Sequence, residues 1–192
     1  EFAHIEARLD AAYKKLGQRN LRTKLAYSAG FECMTNGFTT WMINKRTQLF
    51  NKACPHITSF WLMHMVEETE HKTVAYDAYM AYSGAWLPRA IGVLHGSFHV
   101  LGWGIAGMFT ALKKDGVLGK PACWLEILKE TGSLLWNVGP FLLRALLPGH
   151  NPGCEEDPQW MKDWTAGHAR LGKEDPLPLI DTNNPQMPVP FA

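Results

Sequence analysis

Two copies of one short spacing in this sequence could bind metal ions. Glu1 and His4 form one Glu-x-x-His pair, and Glu68 and His71 form a second. On a helix, this spacing places a carboxylate and an imidazole at neighbouring points of one face, where both can bind the same ion. A single copy is expected by chance on a charged helix face. Two copies favour a metal centre.

A further carboxylate, Glu32, lies in a segment that is otherwise uncharged. It is the single charged side chain between Leu25 and Asn44. Burying a carboxylate among apolar neighbours costs several kcal/mol unless it is paired, protonated or bound to a metal. We therefore expect Glu32 to bind a metal ion, with a buried salt bridge or a solvent-facing position as the alternatives.

The order Glu-x-x-His, Glu, Glu-x-x-His supplies most of a four-helix di-metal site. Such a site takes a Glu-x-x-His pair from each of two helices and one Glu from each of the other two. The predicted metal ligands are Glu1, His4, Glu32, Glu68 and His71. Because one carboxylate is missing, we expect it on a helix that precedes Glu1, so that the chain forms most of a larger bundle.

Other polar residues of the same region are candidates for supporting roles. Glu67 replaces Glu68 as a ligand if the helix has a different register. His64 and Asp77 are candidates for an additional ligand or for a hydrogen bond that fixes an imidazole tautomer. In a hydrolytic mechanism, His64, Glu67 or Glu70 would act as general acid or base.

The donor set favours iron over zinc. Hydrolytic zinc sites commonly use three protein ligands, often two or three histidines, and leave a fourth position open. Mixed carboxylates and imidazoles on a helical bundle are typical of two iron ions that activate oxygen. The main hypothesis is a di-iron oxidase or oxygenase that uses O2 and a small hydrophobic substrate. The alternatives are a metal-dependent hydrolase, with manganese or zinc as other metals, and a non-catalytic helical binding or membrane-associated protein.

The elements that carry these residues are predicted to be helices. Apolar residues follow helical spacing nearly throughout the 192 residues, without sustained period-two alternation. The predicted helices cover about 1–16, 20–50, 55–82, 88–114, 121–147 and 158–171. The sequence therefore predicts an all-α domain over 1–171. The five prolines among the last twenty residues predict an extended arm over 172–192.

Three segments also carry a resemblance to a known family. They are Glu1-x-x-His4, Gly30-Phe-Glu32 and the run His64-Met-Val-Glu-Glu-Thr-Glu-His-Lys-Thr-Val-Ala-Tyr-Asp77, within about residues 1–103. They resemble a bacterial ferritin-like family that is catalogued as predicted metal-dependent hydrolases. The resemblance implies a ferritin-like helical bundle with extra C-terminal helices. It also implies an N-terminal bundle helix that this chain lacks.

The second half of the chain is unusually apolar. Residues 90–112 contain no Asp, Glu, Lys or Arg, and about 20 apolar residues suffice to span a bilayer. The interpretations that remain open are a buried bundle helix, a membrane span, and a face that contacts a membrane or another copy of the chain. Residues 87–147 are also candidates to line a hydrophobic substrate pocket. His95 and His99 lie four residues apart on one helix face. They are candidates for a metal-binding pair or for hydrogen-bonded core histidines.

Charge and cysteine content exclude some functions. Nineteen Lys and Arg against eighteen Asp and Glu give a formal net charge of +1, which is too small to attract nucleic acid. The four cysteines are widely spaced and form no CxxC pair, which is typical of reduced thiols in a cytoplasmic protein. We therefore expect no nucleic acid among the partners. The expected partners are a small hydrophobic substrate and O2, with a homo-oligomer and a peripheral membrane contact through residues 87–147 as further hypotheses.

Overall fold

The fold is known from a computed structural model that describes residues 2–172 and 174–191. Its helices are α1 (Ala3–Gly17), α2 (Leu21–Asn44), α3 (Arg46–Leu49), α4 (Pro55–Glu70), α5 (Val74–Tyr82), α6 (Trp86–Lys114), α7 (Pro121–Ala145) and α8 (Gln159–His168). A short 3-10 turn covers Pro152–Cys154. No strand occurs in the described residues, so the prediction of an all-α protein is confirmed. A ferritin-like arrangement of these helices stays a prediction.

Helix α2 is the centre of the domain, since α4, α5, α6 and α7 all pack against it. It begins after Asn20, whose side chain accepts a hydrogen bond from the backbone N–H of Thr23 at 2.9 Å, as expected for an N-cap. It ends at Asn44, before the predicted boundary at Phe50. The reason is Arg46, which donates to the backbone oxygens of Ile43 and Met187 and starts the separate turn α3.

Glycines allow α2 and α6 to cross at very short distance. A Cβ atom on Gly30 would overlap the backbone of Gly92, and a Cβ atom on Gly92 would overlap the backbone of Ala26. Gly96, one turn further along α6, lies similarly close to the backbone of Phe31. The close packing of α2 against α6 therefore depends on the absence of side chains at these glycines.

The predicted helix over 55–82 is divided, and this expectation was wrong. Helix α4 ends at Glu70, and α5 begins at Val74 after a turn. Within that turn, Lys72 Nζ donates to the backbone oxygen of Glu155 and to Asp157 Oδ1, each at 2.7 Å. These contacts with a distant loop hold the turn in place and leave the first N–H groups of α5 without helical partners.

A buried arginine joins α6 to the end of α7. Arg89 is 1% exposed, and its guanidinium donates to the backbone oxygens of Ala145 at 2.7 Å and Leu147 at 2.6 Å. The last carbonyls of a helix lack intrahelical partners, so Arg89 satisfies groups that burial would otherwise leave unpaired. This explains why a charged residue at the start of the apolar helix is tolerated in the core.

The C-terminal arm over 174–191 contains no helix and packs on the domain. Ile180 and Met187 are each 1% exposed and belong to one hydrophobic cluster with Leu62 of α4 and Trp160 of α8. The backbone N–H of Ile180 donates to Ser59 Oγ at 2.9 Å. The arm is therefore part of the core.

Helix α6 carries a stripe of apolar residues on the side opposite Gly92 and Gly96. They follow the alternating four- and three-residue spacing of a heptad pattern: Leu87, Ile91, Leu94, Phe98, Leu101, Ile105, Met108 and Leu112. Several are exposed, and Phe98 is 74% exposed. Such spacing is typical of helices that pack along an apolar partner. Across 2–172 and 174–191, no helix has the length and apolar character needed to cross a membrane.

Candidate metal centre

Three of the predicted ligands lie in one neighbourhood. Glu32 of α2 is half-buried, and burial raises the pKa of its carboxyl group. A hydrogen bond from the backbone of Ala75 and the nearby imidazole of His71 act in the opposite direction, while the carboxylate of Glu68 raises the pKa further. Helices α2 and α4 therefore bring two carboxylates and one imidazole close enough to influence each other.

Glu32 also has a structural contact that the sequence did not suggest. Its Oε2 atom accepts a hydrogen bond from the backbone N–H of Ala75 at 2.9 Å. Ala75 lies in the first turn of α5, where N–H groups have no partner within the helix. The carboxylate that we predict to bind metal thus also stabilises the start of α5, as an N-cap side chain would.

Glu68 and His64 form a pair along α4. His64 Nε2 lies 3.8 Å from Glu68 Oε1, and the two side chains are 41% and 28% exposed. The His64 ring is also stacked over Phe60. These contacts place an imidazole beside the carboxylate of Glu68, and the supporting role expected of His64 stays a prediction.

The predicted ligands do not converge on one point. No group of three or more His, Cys, Asp or Glu side chains within the described residues is arranged to hold a metal ion. Two of the predicted ligands make other contacts instead: Glu32 with the backbone of Ala75, and Glu68 with His64. His71 follows Glu70, the last residue of α4, so the second Glu-x-x-His pair lies at a helix end and not within a continuous helix.

The remaining predicted residues lie around this neighbourhood. Glu1 lies outside the described residues. His4 is exposed on α1, and α1 packs against α6. Glu67, Glu70 and Asp77 are all exposed. Glu70 Oε1 accepts a hydrogen bond from Thr165 Oγ1 at 3.0 Å, which directs its carboxylate towards α8.

An apolar cavity of about 430 Å³ borders the neighbourhood. It lies among α2, α4, α6 and α7, and its titratable lining residues are His64 and Glu68. The other lining residues are Phe31, Met34, Thr35, Phe38, Thr39, Met65, Val100, Leu101, Gly104, Ile105, Met108 and Leu134. The volume is within the range of sites that bind small molecules. A hydrophobic ligand in this cavity would lie beside Glu68.

The cavity residues of α2 were missed by the sequence analysis. Phe31, Met34 and Phe38 are spaced three and four residues apart on the same helix as Glu32, and this was the signal that could have identified them. Their face was not assigned because helical spacing alone does not separate a pocket wall from a filled core. The assignment requires knowing how α6 crosses α2.

Cys33, next to Glu32, provides a test of burial in this part of α2. Burial raises the pKa of its thiol to about 11, which exceeds the opposing effect of Arg89. Since the thiolate is the reactive form, about one Cys33 side chain in a thousand is reactive at pH 8. We expect iodoacetamide to modify the exposed Cys54 and Cys154 at pH 8 and to leave Cys33 unmodified unless the pH approaches 11 or the protein unfolds. Peptide mass spectrometry measures this, and rapid modification of Cys33 at pH 8 would contradict the buried position.

Comparisons with known proteins identify the family. The family model described as predicted metal-dependent hydrolase matches residues 2–156. The match includes α1 to α7, with Glu32, Glu68 and His71. Neither the curated proteins nor the solved structures contain a significant match. The family match covers most of the 192 residues, and the chain therefore belongs to the family of predicted metal-dependent hydrolases.

Proposed function

We propose that Glu32, Glu68 and His71, which lie near one another but do not converge on one point, turn together to bind a divalent metal ion. The protein would then hydrolyse a small hydrophobic substrate held in the adjoining cavity. The observation that supports this most directly is the position of Glu68, which belongs to the carboxylate–imidazole neighbourhood and also lines the apolar cavity. Membership of a family of predicted metal-dependent hydrolases supports the reaction class.

The chemistry of the donor set fits a metal ion. Carboxylate and imidazole groups are ligands for zinc, manganese and iron. Burial raises the pKa of Glu32, which means that its negative charge is costly in the folded protein. A bound cation would offset that cost. A divalent ion at this position would supply Lewis-acid polarisation of a substrate carbonyl and lower the pKa of a nearby water.

The roles of the chain's own residues follow from their positions. His64 lines the cavity beside Glu68, so its imidazole is placed to accept a proton from water and to donate one to the leaving group. Phe31, Met34 and Phe38 form an apolar wall that would hold an acyl or aromatic group and exclude water. This arrangement favours an ester or amide with a short apolar portion.

Oxidation of a hydrophobic substrate by O2 is a second candidate for the same neighbourhood. The observation that favours it is that two carboxylates, Glu32 and Glu68, lie near a single imidazole, His71. Glu68 and His71 also form a Glu-x-x-His pair. That donor type is characteristic of the di-iron proteins built on ferritin-like bundles. This candidate requires two metal ions and O2, whereas hydrolysis requires neither a second ion nor an oxidant.

Metal reconstitution separates the two candidates. The protein would be stripped with a chelator, loaded anaerobically with Zn2+, Mn2+ or Fe2+, and assayed for metal content by plasma mass spectrometry. p-Nitrophenyl esters of increasing acyl length then report hydrolysis, and an oxygen electrode reports O2 uptake. We expect metal-dependent hydrolysis without O2 uptake. Substrate-dependent O2 uptake with iron alone would overturn the hydrolase proposal in favour of the second candidate, and failure to retain any metal would overturn both.

A further inference from the structure

A second cavity lies on another side of α6. It has a volume of about 470 Å³ and is formed where the end of α1 meets the start of α2 and the first half of α6. Thr23 lines this cavity, and Glu32 lies nine residues further along α2. This separation corresponds to about 13 Å of helix at 1.5 Å per residue. The second cavity is therefore separate from the candidate metal centre.

Basic side chains line this second cavity. Lys15, Arg19, His95 and His99 all contribute, and none of its described lining residues is Asp or Glu. The surrounding segment 14–24 contains five Lys and Arg residues and no acidic residue. The N-terminus of α2 is at the same place and adds the positive end of a helix dipole. The chain as a whole is almost neutral, so this positive charge is local.

His99 has a ring nitrogen without a partner. Its Nδ1 atom lies 2.7 Å from the hydroxyl of Tyr27, and either atom can be the donor, depending on the tautomer of the imidazole. The other ring nitrogen, Nε2, is buried and has no hydrogen-bond partner in the described part of the chain. A buried polar atom without a partner destabilises the folded protein.

The cavity also has an apolar side. Leu16 and Ile91 line it together with the basic residues. Ile91 belongs to the exposed stripe of α6, which continues to Leu94 and Phe98. A ligand that places an anionic group against the basic residues would therefore have an apolar surface along which its remainder could lie.

We propose that the second cavity binds the phosphate group of an amphiphilic organic phosphate. Lys15 and Arg19 would contact the phosphate oxygens at the basic side of the cavity. Phosphate fits better than a carboxylate because it offers more acceptor oxygens to a ring of several donors. The apolar part of the ligand would lie on Leu16 and Ile91. The proposal does not depend on the reaction at the metal centre.

Calorimetric titration with octyl phosphate at constant ionic strength tests the site. We expect Lys15→Gln and Arg19→Gln each to weaken binding about tenfold, as for the loss of a hydrogen bond to a charged group. Lys14→Gln is the matched control, because Lys14 carries the same charge on the same helix but is paired with Asp10 at 2.7 Å. It should change the dissociation constant less than about twofold, as for an exposed ion pair. All three positions are exposed, so the variants should fold.

Two further measurements define the ligand and its source. Inorganic phosphate should bind more weakly than octyl phosphate, and equal binding would overturn the amphiphilic part of the proposal. Sedimentation with phosphatidylcholine vesicles that contain phosphatidic acid, but not with phosphatidylcholine alone, would support a lipid headgroup as the source. Binding of octyl phosphate without sedimentation would support a soluble organic phosphate. Octyl phosphate that binds no better than chloride, or an equal loss in Lys14→Gln, would overturn the site itself.

Discussion

Replacing Gly92 by alanine is expected to destabilise the protein by more than about 3 kcal/mol, because the new methyl group has no space at the α2–α6 crossing. Its Cβ atom would overlap the backbone of Ala26. A clash with backbone cannot be relieved by rotating a side chain, so the two helices must separate. Typical domains have a total stability of about 5–15 kcal/mol, and urea unfolding followed by circular dichroism should show a large fall or no folded baseline.

Gly102 of the same helix provides the matched control. A Cβ atom there meets nothing within 4 Å. Alanine at an open helical position stabilises a protein by up to about 1 kcal/mol, since it has a higher helix propensity than glycine. We expect Gly102→Ala to unfold at a slightly higher urea concentration than the wild type. A similar stability for both variants would show that α2 and α6 do not cross at Gly92.

Replacing Glu32 by glutamine is expected to lower metal affinity and metal-dependent turnover by at least about a hundredfold, since it removes a ligand charge without changing side-chain size. The stability of the metal-free protein should move in the opposite direction. Burial raises the pKa of Glu32, so its charged form disfavours the folded state at neutral pH. The uncharged amide removes this cost and still accepts a hydrogen bond from Ala75.

The stability difference between the wild type and Glu32→Gln is expected to depend on pH. In the wild type, a carboxyl group with a raised pKa takes up its proton in the folded state first, so its unfavourable contribution disappears as the pH falls through that pKa. The stability advantage of Glu32→Gln should therefore shrink at acidic pH. Glu126→Gln is the control, because Glu126 is an exposed partner of Lys129 on α7. Loss of metal in that variant, or full metal binding in Glu32→Gln, would contradict the assignment.

Helix starts were predictable because their signals are local. Asn20 caps α2, and Pro55 and Pro121 stand in the first turns of α4 and α7. The boundaries that were wrong depend on distant residues. The turn after Glu70 depends on contacts of Lys72 with a loop more than eighty residues away. No local pattern contains that information.

The candidate site was predictable to a similar extent. The isolation of Glu32 in an uncharged segment correctly indicated a carboxylate with a costly environment, and the spacing of Glu68 and His71 placed two partners near it. Their competing contacts were not predictable. The hydrogen bond from Ala75 to Glu32 depends on where α5 begins, and the cavity depends on how four helices that are distant in the sequence pack together.

The hydrogen bond from Ala75 to Glu32 would make metal binding detectable by amide hydrogen exchange. A carboxylate that turns towards a metal ion releases the N–H group of Ala75, which then exchanges its hydrogen with solvent more readily. Metal uptake on α2 would thus be recorded as faster amide exchange at the start of α5. The same relation means that a metal ion would have to displace this hydrogen bond, so its binding would compete with local folding and the rate of metal uptake would be sensitive to temperature.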